Sequence, residues 1–384
     1  MIDQHFTIST LQKLVRINSV NPGLESDGPG EEEIGRFIFS LLEELGIEAE
    51  LDELEAGRVN VTGIIPGSGG GRSLMLNAHM DTVGITGMKD PFSGKIENGK
   101  LYGRGSYDMK GSIAAIVAAA KAIREERGVL KRDIVLSFVA DEEHESIGAQ
   151  ALVKRLKTDA AIVTEPTGLD ICLAHRGFGV YRITTLGKTA HGGRHRQGVD
   201  ANTRMGLLLA ELDKLSKQLP EQKKHPLCGE ASMHVPLICG GRSLYIYAGE
   251  CTAHVERRTL PGETEAEIES DLYEIIHRLE RAVPDFQVNV EKVIWRSPYE
   301  IDENARIVKV AAAAASAVLG SKPGFIGHTW WEDSSIFGEA GIESVIIGPK
   351  GDGLHEDIEW VDTDSVIALA EILYHTSVRF SGAT

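Results

Sequence analysis

The chain has 384 residues, 42% of them hydrophobic and 25% charged, with a formal net charge of -17. That length suits about two domains, and the ordinary composition excludes disordered and fibrous classes. So acidic a surface repels phosphate backbones and anionic lipid, which argues against nucleic acid and membrane surfaces as partners but leaves anionic small molecules open.

The opening segment lacks the basic and apolar regions of a signal peptide. No stretch approaches the roughly 18 apolar residues that a membrane span needs. Cys172, Cys228, Cys239 and Cys251 form no C-x-x-C pair and read as reduced, partly buried thiols. The cytoplasm is the default location.

Apolar spacing predicts helices over residues 10–16 and 31–45, the second ending at Gly46. Two short apolar runs, 59–65 and 73–78, flank PGSGGGR. That cluster lacks the Lys-Ser/Thr of a phosphate loop and reads as a hairpin turn. An alanine-rich helix is expected over 113–124, and the continuous apolar runs at 134–140 and 160–164 suit strands buried on both faces. Strand and helix alternate up to about residue 165, which predicts an α/β domain with a mixed, mostly parallel central sheet flanked by helices. After Gly177 the pattern changes: alternating strands at 179–186, 243–255 and 286–293 accompany helices at 202–215 and 264–283. These predict a smaller α+β module over 177–295, inserted between catalytic-domain parts 1–176 and 296–384. A helix over 305–319 and a buried strand at 344–347 return to the α/β pattern.

Ionisable residues collect just beyond the expected strands. His79 and Asp81 follow the run ending at Ala78, and Asp108 lies in GRGSYDMKGS, a glycine-rich loop leading into a helix. Glu142 and Glu143 follow IVLSFVA, Glu165 follows DAAIVT, and His355 closes the loop after SVIIGPKGDGLH. Ligands of open α/β sheets gather at the carboxyl ends of strands, so groups from separate segments converge there. Two imidazoles with several carboxylates and no thiolate suit zinc, with cobalt or manganese as substitutes. A binuclear centre would be satisfied by Asp108 as bridge, His79 and Glu165 at one ion, and Glu143 and His355 at the other. Asp81 can accept the second N–H of His79. Neighbours in an extended segment point to opposite sides, so Glu143 can bind metal while Glu142 serves as general base.

Several stretches resemble the zinc metallopeptidases and deacylases that include acetylornithine deacetylase, succinyl-diaminopimelate desuccinylase, aminoacylase and carboxypeptidase G. They are AHMDTV (78–83), GRGSYDMKGSIAA (103–115), DEEHESIGA (141–149), TEPT (164–167), GKTAHGG (187–193), ERRTLPGE (256–263) and GPKGDGLHEDIEWV (348–361). The resemblance places His79, Asp108, Glu143, Glu165 and His355 on metal positions, Glu142 on the general base and Asp81 on the orienting residue. It implies that the inserted module is a lid through which the chain forms homodimers. It further implies that His191 reaches a substrate oxygen, often in the partner's site, and that Arg258 binds the substrate carboxylate. The implied activity is hydrolysis of an N-acyl amino acid at two zinc ions per subunit. A carboxypeptidase or dipeptidase, and a non-catalytic binding paralogue, are the alternatives. The chain departs from the pattern at Gly84, at 245–249, where asparagine and proline are missing, and at the bulky pair Trp330 and Trp331. Those tryptophans either line the pocket and favour an apolar or aromatic acyl group or serve core or lid packing.

Overall fold

Three strands buried along their whole length, Leu74–His79, Ile134–Val139 and Ala160–Val163, organise the first of two units into which the chain divides. The computed structural model describes residues 1–126 and 130–382. The first unit comprises Met1–Leu173, Ile301–Ile326 and the chain from Glu332 onward. Its sheet runs in the order Glu48–Glu55, Arg58–Ile65, Ile134–Val139, Leu74–His79, Ala160–Val163, Glu343–Ile346, Ile171–His175. The four strands from Ile134–Val139 to Glu343–Ile346 are mutually parallel, and the others pair antiparallel.

Runs such as LMLNAH and IVLSFV carry apolar residues at nearly every position because both faces are covered. One face, with Met75, Val135, Ala161, Val163 and Ile346, packs with Ala149 and Leu152 of the helix Ile147–Arg155 and with Phe337 of Ser334–Glu339. The helices Gly111–Glu125 and Thr363–Ser381 pack on each other and on the strand Leu74–His79. The first is alanine-rich, which lets it approach closely, and Ala114, Ala115, Ala118 and Ala119 are all buried.

The second unit comprises Ala174–Glu300 and Gly327–Trp331. The segment Gly327–Trp331 lies outside the sequence expectation of 177–295. Its antiparallel sheet has the order Ser232–Gly240, Glu250–Thr259, Gly177–Leu186, Gln287–Arg296. Tyr181, Ile183, Ala253 and Val255 share a core with residues of the helices Ala201–Gln222 and Glu265–Ala282. Thr264 and Glu267 form a reciprocal capping box that starts the latter helix where the sequence placed it.

Two expectations fail. PGSGGGR is no hairpin turn, because the strand Ile134–Val139 lies between the runs it joins. Gly67 N–H instead donates to Asp133 at 2.8 Å, so the loop straps the entrance of that intervening strand. The run 243–255 is not one strand. Pairing covers Glu250–Thr259, an internal strand, while Leu244 and Tyr245 sit in an exposed loop. The sheet's two edges are Gln287–Arg296 and Ser232–Gly240, the latter hidden in the sequence behind Pro236. The register shifts between His234 and Leu237, the edge irregularity at which a strand tolerates proline. The strand Glu48–Glu55 and the helix Thr363–Ser381 were also not anticipated. Among the described residues no helix is long and apolar enough to cross a membrane.

Candidate metal centre

Each of the four parallel strands delivers one ionisable residue at its carboxyl end. His79 ends its own strand, Glu143 lies four residues past Val139, Glu165 two past Val163, and His355 on the loop after Ile346. Asp108 enters from the loop before the helix Gly111–Glu125, its peptide to Met109 being cis. His79 Nε2 lies 3.0 Å from Asp108 Oδ1 and 3.6 Å from Glu165 Oε1. His355 Nε2 lies 3.2 Å from Asp108 Oδ2 and 3.2 Å from Glu143 Oε2. The five residues thus form two groups, His79–Asp108–Glu165 and Asp108–Glu143–His355, sharing Asp108 through its two oxygens.

These residues fit a pair of divalent cations. Within each group the candidate ligand atoms lie within 4.8 Å of one another. Glu143 Oε1 is buried with no hydrogen-bond partner among the described residues, a costly state that a cation would relieve. Imidazole and carboxylate donors suit zinc, cobalt or manganese. Burial works to raise the Asp108 carboxyl, but hydrogen bonds from His355 and His79 overcome it and hold the group well below the usual range. Hydrogen bonds to Asp108 and Glu143 raise the His355 imidazole to about 10. Burial opposes a charge on His79, yet Asp108, Asp81 and Glu165 raise it well above its ordinary value. Burial also pushes the Glu143 and Glu165 carboxyls up. Desolvation, reinforced by Glu165, pushes the Glu142 carboxyl well up.

Asp81 holds more than the imidazole. His79 Nδ1 donates to the main-chain carbonyl of Asp81 at 3.0 Å, which fixes the proton on Nδ1 and directs Nε2 toward Asp108. The Asp81 carboxylate is 3.5 Å from the same ring. Its oxygens accept the main-chain N–H of Glu142 at 3.1 Å and of Glu143 at 3.2 Å. The expected extended segment is absent here: Asp141 has φ 70 and Glu142–Glu143 lie in a turn. The two glutamates diverge by that turn rather than by strand alternation. Glu143 pairs with His355, whereas the Glu142 carboxyl is raised first by burial and then by the charge of Glu165.

A buried network behind the turn escaped the sequence reading. Asn21 Nδ2 donates to Asp81 at 2.7 Å and to Asp141 at 2.9 Å. Arg58 pairs with Glu31 at 2.6 Å and with Asp141 at 2.7 Å. Polar residues between apolar elements, in VNP and GRVN, were the only signal. Asp141, His144 and Glu145 also cluster, but the Asp141 carboxylate is already occupied by Arg58, Asn21 and the N–H of Glu145.

His191 and Arg258 belong to the second unit. His191 is exposed, and its Nδ1 accepts from Gly193 N–H at 3.1 Å, which puts the neutral ring's proton on Nε2. Arg258 pairs with Glu256 and lies over the Phe178 ring, 5.0 Å from its centroid. Its neighbour Arg257 is buried against Glu263 at 2.7 Å and serves the turn that follows. Trp331 donates to Ser297 O at 3.1 Å and meets Phe178 edge-on, while Trp330 stacks on His328.

The profile of peptidase family M20/M25/M40 matches residues 75–379. An acetylornithine deacetylase of Myxococcus xanthus is 29% identical over 361 residues, covering 90% of this chain and 91% of the relative. The aminopeptidase PepT of Bacillus cereus superposes with a TM-score of 0.79 at 20% identity, covering 98% of each chain. YXEP of Bacillus subtilis, described as a dinuclear metal binding peptidase, superposes with a TM-score of 0.76 at 16% identity over 99% of each chain. These structural likenesses carry the fold.

Proposed function

We propose that this chain, which belongs to peptidase family M20/M25/M40, removes the acyl group from an N-acyl amino acid by metal-assisted hydrolysis of its amide bond. Hydrolysis of an amide or peptide bond with bound metal is the reaction class. The deacylase reading is favoured by the Myxococcus xanthus relative, which matches nine-tenths of the chain. The observation that carries the metal centre is the sharing of Asp108 between two imidazole–carboxylate groups.

In this reading His79 and Glu165 would hold one ion, Glu143 and His355 the other, and Asp108 would be shared by both. Two zinc ions are the proposed cofactor, with cobalt or manganese able to substitute. The chemistry that bound ions would supply is a water of lowered pKa and polarisation of the scissile carbonyl. Glu142 takes a proton from that water and passes it to the leaving amine, a task suited to a carboxyl whose burial raises its pKa. His191 is proposed to donate from Nε2 to a substrate oxygen, a role supported by its acceptor bond at Nδ1. Arg258 is proposed to bind the substrate carboxylate, for which a guanidinium fork is suited. Homodimerisation through the second unit is proposed as well. The edge strand Ser232–Gly240 supports it, with Leu237 63% and Ile238 56% exposed on an unpaired sheet margin.

A panel of N-acetyl, N-succinyl and N-aroyl amino acids beside dipeptides, assayed with zinc and with cobalt, tests the substrate class. Cleavage of N-acyl amino acids at higher kcat/KM than any dipeptide is expected. Preference for dipeptides would replace the deacylase reading with an exopeptidase one.

A further inference from the structure

The bridging position of Asp108 is supported by a buried ion pair that touches no candidate ligand side chain. The Glu359 carboxylate is 1% exposed and both of its oxygens are occupied. Oε1 accepts the main-chain N–H of Tyr107 at 2.8 Å and of Asp108 at 3.1 Å. Oε2 accepts the N–H of Gly105 at 2.9 Å and Arg104 Nη1 at 2.8 Å. Three amides of one short loop thus converge on a single carboxylate, an anion nest that fixes the loop's path. Gly105 has φ 76, and a Cβ there would meet Thr82 Cγ2 at 2.6 Å, so the loop has no alternative residue at that turn.

Arg104 extends the arrangement. It is 3% exposed, and its three nitrogens reach two other segments of the chain. Nη1 binds Glu359, Nε donates to Gly84 O at 2.9 Å, and Nη2 donates to Glu356 O at 3.1 Å. Gly84 lies on the loop that follows His79 and Asp81, and Glu356 adjoins His355. One guanidinium and one carboxylate therefore tie together the loops carrying His79, Asp108 and His355.

We propose that Glu359 and Arg104 are positioning residues: they hold the Asp108 loop and its two flanking loops at the spacing a pair of ions requires, before any ion binds. This rests on the reading of Asp108 as a shared ligand. Partners that orient metal ligands in this indirect way change metal affinity by about 10–100-fold when replaced. In Glu359→Gln, one of the two oxygens becomes an NH₂ group that faces main-chain donors. Glu359→Asp keeps the charge but withdraws it by one methylene.

The test titrates Co²⁺ into metal-free protein, following visible absorption, for the unaltered chain and both variants. The unaltered chain is expected to take up two ions. Glu359→Gln should bind the second ion about 10–100-fold more weakly with an altered visible spectrum, and Glu359→Asp should recover part of the affinity. A merely structural Glu359 would lower the melting temperature and leave affinity and spectrum unchanged, which would overturn the proposal while leaving the metal centre intact. Uptake of fewer than two ions by the unaltered chain would instead overturn the metal-centre reading, and the proposal with it. Amide hydrogen exchange on the metal-free unaltered chain needs no variant. The amides of Gly105, Tyr107 and Asp108 should be protected, and free exchange at all three would overturn a preformed clasp.

Discussion

Asn21 donates its side-chain amide to Asp81 at 2.7 Å, so a residue near the start of the chain secures the carboxylate that carries the Glu142–Glu143 turn. The same nitrogen reaches Asp141, placing one amide between two buried carboxylates. Asn21→Ala leaves both acids short of a donor, at a cost of about 1–3 kcal/mol. Asn21→Asp adds a third carboxylate to the cluster and is expected to be the worse of the two. Urea denaturation of both variants checks the order. Equal stability would mean that the contact carries little.

Glu142→Gln removes the proposed proton carrier while sparing the five ligands. It should retain bound metal, with kcat lower by about 10²–10⁴-fold or more. Metal analysis paired with steady-state kinetics decides the matter. Near-normal turnover would contradict the general-base role.

Metal uptake should depend on pH in a defined direction. The metal-free chain holds His355 protonated up to about 10, chiefly through Asp108 and Glu143, and a metal ligand must be the neutral imidazole. Binding at pH 7 therefore expels protons, and affinity should rise as pH rises toward that value. Calorimetry in buffers of different ionisation enthalpy counts the protons. A pH-independent affinity without proton release would contradict protonated imidazoles in the metal-free site.

The edge strand offers a test of assembly. Leu237→Asp with Ile238→Lys places opposite charges on a margin now apolar and should convert a dimer to a monomer in sedimentation analysis. The two residues are exposed within their own chain, so a folded monomer is the expected product. An unchanged dimer would move the contact elsewhere.

Much of this architecture was legible because burial on two faces imposes a dense local signal. LMLNAH, IVLSFV and DAAIV are apolar at nearly every position, and the ionisable residues just past them stand out by contrast. Sheet order is a non-local property, which is why PGSGGGR looked like a hairpin although Ile134–Val139 lies between its flanking strands. Pro236 masked the edge strand because a bulge, invisible in the sequence, accommodates it. Glu359 is one of three acids in HEDIE, and nothing local separates it from Glu356. What distinguishes it is a set of main-chain donors some 250 positions away. Asn21 was illegible for the same reason.

Anomalous diffraction from crystals loaded with zinc addresses the central claim directly. Two peaks are expected per chain, about 3.5–4 Å apart. One should lie within about 2.0–2.2 Å of ligand atoms from His79 and Glu165, the other at the same distance from Glu143 and His355, with an Asp108 oxygen on each. A single peak, or peaks away from Asp108, would contradict a shared two-ion centre.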